Sequence, residues 1–243
     1  MKKKNILVTG AGKGIGLATT KKLLEDGNYV FAIIRDKKDN KKFDNYDNLK
    51  IFNANVKNYK FIEKVLTYSH EIKKPITGLV NNAGIRQRKK FLKISSSDLK
   101  EIFTVNFFAA FKIMQIFTNS LIKKKLKGSI VNIASIVGQN GFSELSAYGA
   151  TKGALISLTK SFATEFAKMN IRANCVSPGF TKTSFYKKFR TKKKLYNWTI
   201  SRIPLSRWGN PDEIANMICF LISDKSEYIN GENINIDGGW LSG

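Results

Sequence analysis

Short apolar runs alternate with longer amphipathic segments along the whole chain, without a linker or a repeat between them. The apolar runs have the length and the flanking turn residues of buried strands. They predict strands over Ile6–Thr9, Tyr29–Ile34, Leu49–Asn53, Gly78–Asn81, Ser129–Ala134, Arg172–Ser177 and Asn233–Asp237. Apolar residues with helical spacing predict helices over Ile15–Asp26, Tyr59–Glu71, Ser97–Leu126, Ala147–Met169 and Pro211–Ser223.

The alternation of strands and helices favours a parallel sheet that helices cover on both faces. The pattern therefore predicts one α/β domain over residues 1–243, a Rossmann-type doubly wound sheet of about seven strands. Ligands of such sheets bind beyond the carboxyl ends of the strands. The loops that follow the strands are therefore candidate parts of a site.

A glycine-rich turn follows the first predicted strand and precedes the first predicted helix. Gly10, Gly14 and Gly16 lie in this turn, with a spacing that differs from the usual G-x-G-x-x-G of dinucleotide sites. Glycines let the backbone approach a phosphate closely, and the helix behind them directs free N–H groups and its positive dipole end at the anion. The order of strand, turn and helix favours a phosphate site over an ordinary tight turn.

A tyrosine and a lysine lie one helical turn apart at Tyr148 and Lys152, so their side chains share one face of a predicted helix. Short motifs of this kind also arise by chance, and Tyr46 with Lys50 is a second copy. The first pair differs because polar and glycine residues accompany it at strand ends and in the long helix. These residues are Asn81–Gly84, Asn106, Ser135 and Pro178-Gly179.

This set of motifs resembles the short-chain dehydrogenase/reductases over the whole chain, with Thr183 as a further match. Within that family the chain is most similar to the 3-oxoacyl-[acyl-carrier-protein] reductases. The narrower similarity rests on Val137–Tyr148, Pro178–Phe180, Ile203–Leu205, Arg207–Gly209, Tyr228–Glu232 and Asp237–Gly239. Many relatives with other substrates share these narrower motifs.

The resemblance implies a catalytic set of Asn106, Ser135, Tyr148 and Lys152, and no metal ion. Tyr148 is expected to donate a proton to a carbonyl oxygen while a nicotinamide delivers hydride to the carbon. Lys152 is expected to lower the pKa of Tyr148 through its positive charge and to hydrogen-bond the nicotinamide ribose. Ser135 is expected to donate a hydrogen bond to the carbonyl oxygen. Asn106 is expected to anchor a water relay behind the lysine.

The resemblance also implies a nucleotide site, and the charges near its adenosine end favour NADPH. The second strand ends at Arg35, where NAD-preferring relatives often carry an acidic residue, and Arg35 and Lys13 are both placed to pair with a 2′-phosphate. Asp36 is expected to point away from the ribose, and Asn55 stands where relatives often have aspartate. The expected cofactor-binding residues are Gly10, Gly12, Lys13, Gly14, Ile15, Gly16, Arg35, Asn55, Val56, Asn82, Ala83, Gly84, Tyr148, Lys152, Pro178, Gly179 and Thr183.

The chain is strongly basic, with 42 Lys and Arg against 18 Asp and Glu and a net charge of +24. Basic clusters over Arg35–Lys42, Arg86–Lys93 and Lys182–Lys194 follow the second, fourth and sixth strands, the last of them within a predicted substrate lid at residues 182–202. Such a rim would attract an acidic acyl carrier protein or a phosphopantetheine arm. Lys123–Lys125, Lys127 and Lys168 are expected to extend this surface. A solvated lysine-rich surface without a partner is the alternative.

Three functions fit these observations. The first is NADPH-dependent reduction of a 3-oxoacyl thioester on acyl carrier protein, in fatty-acid or related specialised acyl biosynthesis. The second is NAD(P)-dependent reduction or dehydrogenation of a free small ketone or alcohol, such as a sugar, steroid or polyol. The third, a nucleic-acid-binding protein, has little support because the sequence has no aromatic and basic stripe of the kind that single-strand binders use.

Further expectations concern location, single residues and assembly. No run approaches the roughly 18 apolar residues of a membrane helix and no signal peptide is evident, so a cytoplasmic protein is expected. Cys175 and Cys219 are expected to be buried, reduced thiols, and His70 a solvated side chain. Two helices carry apolar residues around most of their circumference, which predicts a homo-oligomer, with the family's tetramer as the expected form. These residues are Phe103, Phe107, Phe108, Phe111, Ile113, Met114, Ile116 and Phe117, then Leu155, Leu158, Phe162 and Phe166.

Overall fold

The computed structural model describes residues 3–243, apart from the side chains at positions 185 and 188. One parallel sheet has the strand order β3-β2-β1-β4-β5-β6-β7. Its strands are β1 (Asn5–Thr9), β2 (Tyr29–Ile34), β3 (Leu49–Asn53), β4 (Gly78–Asn81), β5 (Gly128–Ile133), β6 (Ile171–Pro178) and β7 (Asn233–Ile236). The predicted strands and the Rossmann-type single-domain fold are confirmed.

The strand order reverses between β1 and β4, and this reversal places the site. Ile6 of β1 pairs in register with Val30 of β2 on one side and with Gly78 of β4 on the other. The chain first runs outward from β1 to β3, then returns to β4 and continues outward to β7. Connections therefore leave β1 and β4 in opposite directions, which opens a crevice at their carboxyl ends.

Helices cover both faces of the sheet, and alternate strand residues face each layer. Ile6 and Val8 pack with the helices α1 (Gly14–Glu25) and α8 (Pro211–Ile222), whereas Leu7 packs with α2 (Tyr59–Glu71), α4 (Ala109–Lys123) and α5 (Ser146–Phe166). This alternation follows from the two-residue repeat of a strand. The helices are α1 (Gly14–Glu25), α2 (Tyr59–Glu71), α3 (Ser96–Phe103), α4 (Ala109–Lys123), α5 (Ser146–Phe166), α6 (Ser184–Arg190), α7 (Lys193–Arg202) and α8 (Pro211–Ile222).

The long helix that the periodicity predicts over Ser97–Leu126 is interrupted near its middle. α3 begins with a capping box in which Ser95 and Asp98 bond each other's backbone, and one π-helical turn over Thr104–Phe108 joins α3 to α4. Asn106 is the central residue of that turn. Single π turns inside helices often mark functional sites, because they reposition one side chain relative to the rest of the helix.

By length and composition, the segment Ser96–Lys123 is also apolar enough to cross a membrane. Half of its most apolar window is buried inside the fold. Ile113 and Phe117 of α4 belong to the same core cluster as Leu7, so this segment packs as a core helix.

The predicted lid segment contains two helices, α6 and α7, that the sequence periodicity does not predict. They pack on an apolar cluster above the carboxyl ends of β5 and β6. This cluster includes Phe189, Ile203, Trp208 and Trp240. Trp208 is 1% exposed, and its indole Nε1 donates to Thr199 Oγ1 at 2.8 Å. Tertiary contacts from the chain beyond the lid therefore hold these helices. The mobility of the lid stays a prediction.

The expectations for single residues have different outcomes. Cys175 and Cys219 are free and buried as predicted, and burial raises the pKa of their thiols to about 11 and about 12. His70 is not the solvated side chain that was expected: its Nε2 lies 3.1 Å from Ser120 Oγ, and burial lowers its pKa. Among residues 3–243, no group of three His, Cys, Asp or Glu side chains is placed to hold a metal ion.

Candidate active site

A cleft of ≈ 440 Å³ opens at the carboxyl end of the sheet, where the strand order reverses. A second cavity of ≈ 230 Å³ shares Gly10 and Lys13 with the cleft and continues toward the ends of β2 and β3. A larger groove of ≈ 650 Å³ lies between α2 and α4, but its lining includes none of the predicted catalytic residues. We therefore place the site in the continuous groove at the strand ends. All predicted cofactor-binding residues line this groove except Gly16, which lies behind it.

The glycine turn has a geometry that favours glycine. Gly10 and Gly14 have φ values of +65° and +52°, in the left-handed region. A Cβ atom at Gly16 would lie 2.3 Å from both the Gly10 carbonyl oxygen and Asn82 Nδ2. Behind the turn, Lys13 caps α1 without a side-chain hydrogen bond, so the first N–H groups of the helix face the groove. A glycine backbone without side chains, in front of a helix N-terminus, is suited to bind the pyrophosphate of a dinucleotide.

Thr9 and Asn82 fasten the glycine turn to the loop that follows β4. Thr9 Oγ1 accepts hydrogen bonds from the backbone nitrogens of Asn82 and Ala83, both at 3.1 Å. Asn82 Nδ2 donates to the carbonyl oxygens of Thr9 and Gly10, both at 3.0 Å. Thr9 is not among the predicted cofactor residues. Its position as the last residue of β1, just before the glycines, is the only sequence signal for this role.

Ser135, Tyr148 and Lys152 line one wall of the cleft. The hydroxyl of Ser135 is close enough to Tyr148 to lower the pKa of its phenol, and Lys152 Nζ lies 5.7 Å from the centre of the Tyr148 ring. Ser135 Oγ also accepts from the backbone nitrogen of Val137 at 3.2 Å, at the start of a short 3₁₀ turn. The end of β5 thus presents the hydroxyl of Ser135 to the phenol that α5 carries.

The expected lowering of the Tyr148 pKa by Lys152 stays a prediction. Burial raises the pKa of Tyr148 and outweighs two opposing effects, the hydrogen bond from Ser135 and the charge of Arg86. Lys152 is 4% exposed, its Nζ donates to the Ile133 carbonyl oxygen at 2.6 Å, and burial lowers its pKa to about 8. Lys152 Nζ thus donates to Ile133, and the ammonium keeps most of its charge at neutral pH.

Asn106 braces the site from behind through its side chain. Its Oδ1 accepts from the backbone nitrogen of Ile85 at 2.8 Å, and its Nδ2 donates to the Ile85 carbonyl oxygen at 2.9 Å and to Thr151 Oγ1 at 3.2 Å. Asn106 is 1% exposed, so its side-chain amide is buried behind the site. The π turn therefore couples the loop after β4 to α5, which carries Tyr148. The water relay expected of Asn106 stays a prediction.

At the adenosine end, carboxylates lie beside the predicted phosphate-binding residues. The chain after β2 forms a 3₁₀ turn over Lys37–Phe43 that buries Asp39. The Asp39 carboxylate lies 3.3 Å from Lys13 Nζ and 2.8 Å from Lys42 Nζ. Burial raises the pKa of Asp39, but the hydrogen bonds from Lys42 and Lys13 outweigh it and hold the pKa below its usual value. Lys13 is therefore already ion-paired.

The other residues at this end are also placed by their neighbours. Arg35 is exposed at the end of β2, and Asp36 lines the same cavity while its Oδ1 accepts from the backbone nitrogen of Lys38 at 3.2 Å. Asn55 Oδ1 accepts from the backbone nitrogen of Lys57 at 3.0 Å, beside the buried Val56. The sequence does not show that Asp36 and Asp39 both reach this cavity.

The sequence and the solved structures of other proteins agree with this geometry. The family model described as "Enoyl-(Acyl carrier protein) reductase" matches residues 10–241. The 3-oxoacyl-[acyl-carrier-protein] reductase FabG of Thermotoga maritima is 36% identical over 244 residues, which cover 96% of each chain. The 5-keto-D-gluconate 5-reductase of Escherichia coli is 31% identical and covers 98% of this chain and 95% of its own.

Two solved structures bear on the cofactor. A 4-hydroxyisoleucine dehydrogenase mutant complexed with NADH and succinate superposes with a TM-score of 0.93 at 36% identity, with 99% of each chain covered. ElxO with NADP bound superposes with a TM-score of 0.92 at 30% identity over the full length of both chains. The fold and the groove thus define an oxidoreductase that uses a pyridine nucleotide. The chain belongs to the short-chain dehydrogenase/reductase family.

Proposed function

We propose that this protein uses NADPH to reduce a ketone to a secondary alcohol. The hydroxyls of Ser135 and Tyr148 in one wall of the cleft, with Lys152 beside them at the end of the nucleotide groove, carry this proposal. When bound, the reduced nicotinamide supplies a hydride to the carbonyl carbon. Tyr148 donates its phenolic proton to the carbonyl oxygen and regains a proton from solvent, while Ser135 donates a hydrogen bond to the same oxygen. The balance is ketone, NADPH and one proton to alcohol and NADP⁺.

The raised pKa of Tyr148 supports the reductive direction. A phenol with a pKa above its usual value of 10.0 holds its proton at neutral pH, which is the form that a reduction requires. The charge of Arg86 and the hydrogen bond from Ser135 both lower this pKa, so they bring the acid closer to the operating pH. The proton donor is therefore loaded before the substrate binds.

The preference for NADPH rests on Arg35 and Lys13 at the adenosine end. We expect the double variant Lys13→Ala with Arg35→Asp to lower the ratio of kcat/KM for NADPH to that for NADH by about 10- to 100-fold, because a hydrogen bond to a charged group contributes about 1.5–3 kcal/mol. Steady-state kinetics with both nucleotides measure the ratio. The matched control is Lys123→Ala with Lys127→Asp, which makes the same charge change at the amino end of the sheet. An unchanged ratio would mean that neither side chain contacts the 2′-phosphate.

The first candidate substrate is a 3-oxoacyl thioester carried on acyl carrier protein, as part of fatty-acid or related specialised acyl biosynthesis. The 36% identity to a 3-oxoacyl-[acyl-carrier-protein] reductase supports it, as do Lys192, Lys193 and Lys194, which are exposed on the lid. Other parts of the basic rim support it less. Arg88 is paired with Glu144 at 2.7 Å and Lys89 with Asp98 at 2.5 Å.

One group of lysines lies far from the mouth of the cleft, so the expectation that it extends the docking surface is wrong. Lys123–Lys125 and Lys127 precede β5, and Lys168 precedes β6. They therefore lie at the amino ends of the strands, whereas the cleft is at the carboxyl ends. A docking surface for an acidic carrier would have to be formed by the lid, in which the side chain of Lys188 lies outside the described part of the chain.

A salt titration tests carrier docking. We expect kcat/KM on a carrier-linked 3-oxoacyl substrate to fall by about 10-fold or more as ionic strength rises from about 0.01 M to 0.15 M, because steered association weakens when the Debye length shrinks to about 8 Å. Lys192→Glu, Lys193→Glu and Lys194→Glu together should give the same low value at low salt. The control reverses Lys123, Lys124 and Lys127 instead. Parallel salt curves for the carrier-linked and the unlinked ketone would reject docking.

The second candidate substrate is a free small ketone. Arg86 favours it, because this cation lines the cleft beside Tyr148 and not the outer rim. A keto-sugar acid reductase is 31% identical to this chain, and a 36% identical dehydrogenase is solved with the dicarboxylate succinate. The ligands named for both relatives, a keto-sugar acid and succinate, carry a carboxylate. A comparison of carrier-linked, coenzyme A-linked and unlinked ketones as substrates discriminates the two candidates.

We also propose that the protein is a homo-oligomer, with a tetramer as the expected form. Phe108 and Phe111 are 51% and 39% exposed, and their rings contact Phe103 and Phe107 to form one aromatic patch. By contrast, Ile113 and Phe117 on the other side of α4 are in the core. A second copy of the helix would cover this patch. A monomeric mass in sedimentation experiments would reject the proposal. Cytoplasmic location and the absence of nucleic-acid binding stay predictions.

A further inference from the structure

Arg86 lines the cleft but not the cavity at the adenosine end. It lines the cleft together with Tyr148, Phe142 and Leu145. Its side chain is accessible to solvent within the cleft, yet the surrounding protein and the charge of Arg88 lower its pKa, while Tyr148 raises it. The influence is mutual, since Arg86 also lowers the pKa of Tyr148. The guanidinium is therefore close to the group that would donate the proton, and it is charged at any physiological pH.

The loop that carries Arg86 is anchored on both sides. Before it, both backbone groups of Ile85 are bonded to the Asn106 side chain. After it, Gln87 Nε2 donates to Asp98 Oδ1 at 2.7 Å, and Arg88 Nε donates to Glu144 Oε2 at 2.7 Å. The neighbouring side chains are thus held by α3 and by the segment before α5. These anchors fix the backbone from which Arg86 reaches the cleft.

The lining of the cleft makes Arg86 a strong local charge. None of the described residues that line the cleft is acidic. Its three cations are Lys13, Arg86 and Lys152. Lys13 lies toward the nucleotide end and is paired with Asp39, and Lys152 is buried behind Tyr148. The cleft around Tyr148 thus combines apolar side chains, such as Phe142 and Leu145, with one guanidinium. A planar guanidinium binds a carboxylate through two parallel hydrogen bonds, and the low polarity of the walls strengthens them.

We propose that Arg86 binds a carboxylate of the substrate and thereby selects keto acids. The inference rests on the proposed ketoreductase activity and chooses the free small ketone over the carrier-linked thioester. The carboxylate would lie on Arg86 while the ketone oxygen accepts from Tyr148 and Ser135, so the two groups are separated by only a few bonds. A carrier-linked 3-oxoacyl chain has no anion so close to its ketone. Arg86 is a substrate-binding residue in this proposal and takes no part in proton transfer.

The test uses matched acids and esters. The substrates are acetoacetate, 4-oxopentanoate and 5-oxohexanoate, each with its methyl ester, and NADPH oxidation is followed by absorbance. We expect the wild type to prefer at least one acid over its ester. Arg86→Gln should lower kcat/KM for that acid by about 10- to 100-fold and change the ester by less than about threefold. Arg86→Lys should retain part of the preference, because it keeps the charge but loses the planar fork.

The esters separate two effects of the substitution. Loss of the Arg86 charge also raises the pKa of Tyr148, but that change affects acid and ester alike. Lys90→Gln is the matched control, since it removes a positive charge from an exposed position of the same loop, outside the cleft lining. It should alter neither substrate. As a second measurement, succinate should inhibit ester reduction competitively in the wild type and at least about 10-fold more weakly in Arg86→Gln.

The outcomes separate this inference from the proposed function. Equal losses on acid and ester in Arg86→Gln, or a wild type that prefers the esters or an acetoacetyl thioester throughout, would overturn the role of Arg86 and leave ketone reduction standing. A protein that binds NADPH but reduces none of the ketones, with or without a thioester, would overturn both. A selective loss on the acid that Arg86→Lys partly restores would support the inference.

Discussion

The Tyr148→Phe variant is expected to lose about 10²- to 10⁴-fold in kcat, the range that a positioned general acid contributes. The substitution removes the phenolic oxygen and leaves the ring in the cleft wall beside Ser135. Binding of NADPH should stay within about threefold of the wild type, because the glycine turn and the helix N-terminus that hold the phosphates are unchanged. Steady-state rates and a fluorescence titration with NADPH measure the two quantities.

The chain supplies a control for this variant. Tyr46→Phe makes the same change in the second Tyr-x-x-x-Lys copy, where the hydroxyl of Tyr46 lies 3.3 Å from Glu25 Oε1 outside the cleft. It should keep full activity. Near-wild-type turnover by Tyr148→Phe would remove Tyr148 from the role of acid. Equal losses of kcat and of NADPH affinity would point to a damaged groove.

The strands and their order along the chain could be predicted because a parallel sheet that is buried on both faces needs nearly continuous apolar runs. Runs such as Ile6–Thr9 and Tyr29–Ile34 satisfy that requirement, and they form β1 and β2 within a residue of the predicted bounds. The glycine turn could be predicted for a similar reason. Its residues must meet a local steric condition, such as the positive φ of Gly10, which leaves a mark in the sequence.

Interruptions of regular structure could not be predicted, because distant contacts cause them. The π turn around Asn106 depends on hydrogen bonds to Ile85 and Thr151, which are 21 and 45 residues away. Apolar periodicity passes through this turn without a change. The lid helices likewise pack around Trp208, which follows them in the chain. Local propensity is a weak guide where tertiary packing decides the structure.

The members of the site could be predicted, but their electrostatics could not. The resemblance to the family placed Ser135, Tyr148 and Lys152 in one site, and the end of β5 and the helix α5 bring all three to the cleft. The sequence contains 42 basic residues and does not show which of them are neutralised. In the structure, Lys13 pairs with Asp39 and Arg88 with Glu144. Arg86 differs from Arg88 in its place, since Arg86 lines the cleft together with Tyr148.

Replacement of Lys152 by alanine is expected to lower both kcat and NADPH affinity, each by about 10-fold or more, since it removes a charged hydrogen-bond donor from the floor of the groove. Lys152 Nζ is buried, donates to the Ile133 carbonyl oxygen and lies behind the Tyr148 ring. The same titration and rates measure both losses. The control is Lys50→Ala, in which the ammonium lies 5.5 Å from the Tyr68 ring, away from the cleft. It should change neither quantity.

The pH dependence of unfolding tests whether Lys152 is buried in the folded wild-type protein. The pKa of Lys152 is about 8 in the folded protein, below the value of 10.5 for an exposed lysine. Between these values the unfolded chain binds more protons, so the stability of the wild type relative to Lys152→Ala should rise as pH increases from about 8 to 10. A stability difference that is flat over this range would mean that the lysine is not buried as described.

Loss of activity with unchanged NADPH affinity would confine Lys152 to the proton-transfer step. Loss of neither would make Tyr148 and Lys152 as accidental a pair as Tyr46 and Lys50.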